Sequence, residues 1–112
     1  MGLDRAFSPP EPVRSADNQK KVDDAFAGHA LYQFAACPFC VKVRRGFKRL
    51  GVKVEIRNAD EGTFFREELV SGGGELQVPC LRITESNGNV RWLYESSDIL
   101  AYTEDRVNRA LN

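Results

Sequence analysis

Ala30-Leu31-Tyr32-Gln33-Phe34, followed after two alanines by Cys37-Pro38-Phe39-Cys40-Val41-Lys42-Val43-Arg44-Arg45 and on to Leu50-Gly51, is the stretch on which the fold reading turns. Its first five residues are an apolar run too short for a helix of its own, so they predict a buried strand. From Pro38 the period changes to that of a helix. Cys40, Val43, Phe47 and Leu50 make one apolar stripe at spacings of three and four. Pro38 fits a first helical turn, where a missing N–H costs nothing, and Gly51 marks the end. Gly46, inside the helix, costs about 1 kcal/mol relative to alanine, and close packing against a strand would account for it. The two cysteines of the C-x-x-C pair thus fall at a strand-to-helix junction, one before the helix and one in its first turn.

Working outward, Val52-Lys53-Val54-Glu55-Ile56 alternates with period two and predicts a second strand. Residues 61 to about 71 read as a helix with Phe65 and Leu69 inward, stopped by Gly72-Gly73-Gly74. Cys80-Leu81-Arg82-Ile83-Thr84 is a strand entered through Val78-Pro79. Asn87-Gly88 is a hairpin turn, and Val90-Arg91-Trp92-Leu93-Tyr94 returns from it. Ser96 or Ser97 caps a last helix running to about Ala110. Upstream, Ser15 opens a short helix over about 15–27 with Val22 and Phe26 on one face. Residues 1–14, with Pro9, Pro10 and Pro12, read as a flexible arm ahead of one domain over 15–112. The string β-α-β-α-β-β-α implies an α/β fold: a small mixed four-stranded sheet flanked by helices, with a right-handed crossover between the first two strands.

A chain of 112 residues holds one core. Hydrophobic residues at 42% and charged residues at 29% describe a globular chain. Sixteen basic against sixteen acidic residues give no net field for nucleic acid. No stretch reaches the ~20 apolar residues of a membrane span, and no apolar run of secretory type opens the chain. Three cysteines are too few, and odd in number, for a secreted disulfide scaffold. Reactive thiols in a reducing compartment, the cytoplasm, are the expectation, in a monomer.

The attacking species in thiol–disulfide exchange is the thiolate. Cys37 would face the positive end of the helix dipole and its unpaired N–H groups. Lys42, Arg44, Arg45, Lys48 and Arg49 add positive potential with no acid among them, so the Cys37 pKa is expected toward or below neutrality. Cys40, on the core stripe, would close the disulfide and release what Cys37 has captured. Half of a zinc site is the competing reading, but a structural site needs about four ligands and only Cys80 and His29 remain, so no metal is expected. Two inert buried cysteines are the other. The strand before, the helix after and the proline between favour the redox pair. Cys80 reads as a half-buried strand cysteine, and His29 as flanking the first strand without assigned chemistry.

Three motifs in order carry a family resemblance: Cys37 to Arg45, Gln77-Val78-Pro79, and Glu95-Ser96-Ser97-Asp98-Ile99. Over about residues 30 to 105 the chain resembles a bacterial glutaredoxin, of thioredoxin-like fold, and the N-terminal domain of glutathione transferases. The resemblance implies a cis bond at Val78-Pro79, with the backbone of Val78 pairing to the cysteinyl part of glutathione. It also implies the γ-glutamyl carboxylate at Ser96, the γ-glutamyl amine near Ser97 and Asp98, and Phe39 beside the tripeptide. Lys42, Arg45 and Gln77 are candidates for the glycyl carboxylate. Many members have tyrosine in place of Phe39, a lysine shortly before the first cysteine, and Gly-Gly with two acids in the third motif; Glu95-Ser96-Ser97-Asp98 leans toward the transferase version.

The activity so implied is glutathione-dependent reduction of protein–glutathione mixed disulfides and protein disulfides, with Cys37 as nucleophile, Cys40 resolving and glutathione as co-substrate. A glutathione-dependent iron–sulfur carrier is an alternative, opposed by Pro38 where such carriers have a small residue. A non-catalytic, transferase-like binding module is another.

Overall fold

The computed structural model describes residues 10–112; the first nine residues of the expected arm lie outside that range. Ser15 caps α1 (Ala16–Ala25) by accepting the Asn18 N–H at 3.1 Å. There follow β1 (His29–Gln33), α2 (Pro38–Leu50), β2 (Glu55–Asn58) and α3 (Phe64–Glu68), which runs into a π-helical turn over Leu69–Gly73. The hairpin β3 (Cys80–Thr84) and β4 (Val90–Tyr94) leads to α4 (Ser96–Leu111). Residues 10–15 have no regular structure, but Arg14 holds the start of this ordered segment to the end of α2. Its Nη2 donates to the Leu50 carbonyl at 2.7 Å.

The sheet order is β2-β1-β3-β4, with β1 parallel to β2 and antiparallel to β3, and β3 antiparallel to β4. Alternation along the central strands sends side chains to two cores. Leu31, Leu81 and Ile83 pack with Val43 and Phe47 of α2, Ile99 and Val107 of α4, and Val22 and Phe26 from α1 and its end. Ala30, Tyr32 and Cys80 point to the other face, where Leu69, Phe65, Trp92 and Tyr94 cover them. The expected fold class, a mixed four-stranded sheet flanked by helices, is the one observed.

Several local expectations are corrected. The second strand starts at Glu55 rather than Val52, because Val52 and Val54 are drawn into the core beside α2 before pairing with β1 begins at Ala30↔Glu55. The helix expected over 61–71 is shorter and changes type. Thr63 caps it, Oγ1 accepting the Arg66 N–H at 3.2 Å. A Cβ at Gly72 or Gly73 would collide with Trp92 or Tyr94, so the turn ending there packs flat on the sheet. Gly46 faces not a strand but α4, where a Cβ would run into Leu100. Neither serine caps α4. Glu95 takes the N-cap position with φ 76°, ψ 119° and no side-chain cap bond, and Ser96 is the first helical residue. Such a positive φ in a residue other than glycine costs on the order of 1–3 kcal/mol.

Candidate active site

The β1–α2 connection is clamped from both sides. The Cys37 N–H donates to the Phe34 carbonyl at 3.2 Å, and the Cys37 carbonyl accepts the Val41 N–H at 2.9 Å, the first bond of α2. From the second turn of α2, Arg44 reaches back. Its Nη2 donates to the Ala35 carbonyl at 2.9 Å and its Nη1 to Gln33 Oε1. Gln33 is itself buried and donates to Asn58 Oδ1 at 2.6 Å. The loop before Cys37 is therefore fixed to β1, β2 and α2 together.

Cys37 occupies the N-cap position of α2, with Pro38 at the first helical position. Its sulfur makes no full capping hydrogen bond, yet it lies where the helix's orphan N–H groups converge. Partial burial pushes its pKa up. That effect is outweighed by the Cys40 amide and thiol, the Phe39 amide and the Arg44 guanidinium, leaving the thiol below its ordinary value. Cys40 behaves oppositely. Fully buried on the core side of α2, it is pushed up to about 11, mainly by desolvation, and the developing charge on Cys37 adds to the effect. Both thiols are free, and Cys37 is the more acidic of the two.

This asymmetry predicts a pH profile. The thiolate fraction of Cys37 rises as pH passes its depressed pKa, so iodoacetamide should label it with a midpoint below the ~8.5 of free cysteine. Cys40 and Cys80 should stay unlabelled at pH 7. Mass mapping after brief alkylation would show one modified cysteine, and a Cys37 midpoint at or above that of free cysteine would contradict the assignment.

The remaining sequence candidates divide by position. Val78-Pro79 has a cis peptide bond, and Pro79 directly precedes β3. The register Tyr32↔Cys80↔Tyr94 places the end of β1, the start of β3 and the end of β4 side by side. Cys37, Val78-Pro79 and Ser96 thus sit at one end of the sheet, each within a few residues of that row. Phe39 is 61% exposed beside the nucleophile, and Ser96 is buried at the start of α4. Ser97 and Asp98 are exposed in its first turn. Lys42 and Ser97 line one shallow cavity of about 350 Å³ between α2 and α4. Gln77, exposed, donates to Glu95 Oε2 at 3.3 Å, which ties the loop before the cis proline to the start of α4.

Cys80 is fully rather than half buried, and burial pushes its pKa up to about 12 despite the neighbouring Tyr94 hydroxyl. It behaves as a small core residue. His29, in β1, pairs its Nε2 with the Tyr102 hydroxyl at 2.8 Å, and burial lowers its pKa. No group of three metal-ligating side chains occurs among the described residues. Sequence reasoning passed over Arg44 as a positioning group, counting only its charge, because its partners Gln33 and Ala35 become neighbours only when the loop folds back. Glu95 stands in the third motif, but its positive-φ backbone conformation had no local signal in the sequence.

A C-x-x-C pair of unequal thiols at a strand-to-helix junction, on a mixed four-stranded sheet with a cis proline before its third strand, defines a dithiol domain of thioredoxin-like fold. The family model described as glutaredoxin matches residues 30–86, and the chain belongs to that family. Among solved structures, wheat glutaredoxin superposes with a TM-score of 0.55 at 22% identity, covering 88% of this chain and 94% of its own. Oxidized glutaredoxin 2 from Chlamydomonas reinhardtii gives 0.53 at 20% identity, over 86% and 92%. A buckwheat glutaredoxin–glutathione complex gives 0.55 at 15% identity, over 88% and 94%. At these identities the likeness is one of fold. No match was found among curated protein sequences.

Proposed function

We propose that this member of the family is a glutathione-dependent dithiol oxidoreductase acting through Cys37 and Cys40. The observation that carries the reading is the placement of the two thiols, Cys37 part-exposed at the N-cap of α2 and Cys40 fully buried within its first turn. That placement moves their acidities in opposite directions. Such a pair separates the attacking group from the resolving one.

The Cys37 thiolate attacks the glutathione sulfur of a protein–glutathione mixed disulfide. The protein thiolate leaves and takes a proton, and Cys37 carries the glutathione. A second glutathione thiolate attacks that sulfur, releasing glutathione disulfide and restoring the Cys37 thiolate. With a protein disulfide, Cys37 forms a mixed disulfide with one substrate sulfur. Cys40 then loses its proton to the leaving substrate thiolate and attacks Cys37. The product is a Cys37–Cys40 disulfide, which two glutathiones reduce. Covalent exchange of this kind is ping-pong.

The tripeptide would lie along Val78, using its backbone as an added strand edge. Its γ-glutamyl end would reach Ser96, Ser97 and Asp98, where the start of α4 favours a carboxylate. Phe39 would cover it, and Lys42, Arg45 or Gln77 would take the glycyl carboxylate. The protein works on this reading as a monomer in the reducing cytoplasm. The test is turnover of the mixed disulfide between glutathione and 2-mercaptoethanol, coupled to glutathione reductase. Parallel lines in double-reciprocal plots are expected. No turnover above the uncatalysed exchange would overturn the proposal.

A further inference from the structure

Five of the chain's sixteen cations lie on α2, which carries no acid, although the chain as a whole is neutral. Three of them, Lys42, Arg45 and Arg49, line a shallow cavity of about 390 Å³ whose near end is Pro38, the residue after the nucleophile. A second cavity, of about 350 Å³, shares Lys42, Arg49 and Leu100 with it and continues toward Ser97 and Glu104 of α4. The two form one groove between α2 and α4. Its cationic wall starts at Lys42, about one helical turn beyond Pro38, and Ser97, Leu100 and Glu104 of α4 lie on its other side.

The geometry points to this groove as the docking surface for an acidic segment of the disulfide-bearing protein, an inference that rests on the oxidoreductase reading above. When a protein disulfide is reduced, the covalent intermediate joins the substrate cysteine to Cys37, so the chain flanking that cysteine must cross the neighbouring surface. Along α2, at about 1.5 Å per residue, Lys42 lies roughly 7 Å and Arg49 roughly 18 Å beyond Cys37. An extended peptide at about 3.3 Å per residue covers that interval with residues some two to five positions from its cysteine. Carboxylates at those positions meet the cations in turn, and the excess of one charge sign steers encounter as well.

The test compares symmetric peptide disulfides of one length and one cysteine context, in which Cys37 bonds the peptide cysteine itself. They carry glutamates or glutamines at positions two to five on either side of the cysteine. The glutamate peptide, on one side at least, should show kcat/KM about tenfold higher at low ionic strength, with the advantage shrinking as salt rises. Arg49→Gln, an exposed helix position outside the glutathione cradle, should cut that advantage about threefold. It should leave turnover of the glutathione–mercaptoethanol disulfide unchanged. Arg49→Glu should cut the advantage further. Equal rates for the two peptides, or a preference indifferent to both Arg49 variants, with the small disulfide still turned over, would overturn the docking inference alone. Failure on the small disulfide by the unaltered protein would overturn the oxidoreductase reading, and this inference with it.

Discussion

Cys37→Ser is expected to reduce turnover of a glutathione mixed disulfide to the uncatalysed background, a loss of at least about a thousandfold. The serine hydroxyl stays protonated where the thiol ionises. The Phe39 and Cys40 amides and Arg44, which hold the Cys37 pKa below its ordinary value, cannot close so wide a gap. Cys40→Ser is expected to behave differently. Its hydroxyl can still donate toward Cys37, as the buried thiol does, so the nucleophile keeps most of its anionic character. Mixed-disulfide turnover should then survive in large part, while reduction of a protein disulfide stalls at the covalent intermediate. Mass spectrometry of the Cys40→Ser reaction should trap Cys37 bound to glutathione or to the substrate protein. Equal losses in the two variants would mean that the thiols do not divide the work as their surroundings indicate.

The unequal surroundings of the two thiols were legible in the sequence because they depend on neighbours close along the chain. Cys37, Pro38 and Cys40 lie within one helical turn, and the run before them could only be a strand. The β3–β4 hairpin was equally plain from Asn87-Gly88, and both its strands fall where expected. What eluded the sequence depends on residues far apart in it. Val52 and Val54 alternate as a strand does, but the core beside α2 claims them and pairing starts later. Gly46 gave no sign of which element it approaches, since Leu100 lies on the last helix. A serine at a helix start resembles a cap, yet the chain leaves β4 through Glu95 at positive φ, which moves Ser96 into the helix. The Arg44–Gln33–Asn58 chain of hydrogen bonds joins three elements and has no signature in any one of them.

The second large effect concerns stability. Leu31 is fully buried at the middle of β1, paired to Ile56 on one side and Leu81 on the other. Its side chain belongs to the larger core, with Val43, Phe47 and Ile99. Leu31→Ala removes apolar area from water-free surroundings and leaves a cavity that two paired strands cannot collapse into. The expected cost is about 3 kcal/mol, a large share of the roughly 5–15 kcal/mol that holds such a domain together. Tm should fall by roughly 10 °C or more in calorimetry. Below its transition the variant should keep the wild-type alkylation profile, because Cys37 draws its acidity from the first turn of α2 and from Arg44. Phe39→Ala is the converse. At 61% exposure it should change stability by no more than about 0.5 kcal/mol, yet weaken use of glutathione. If Leu31→Ala left Tm unchanged, β1 would not be the central strand on which both cores close. If it raised the Cys37 pKa in the folded state, the thiol's acidity would depend on core packing rather than on the helix end and Arg44.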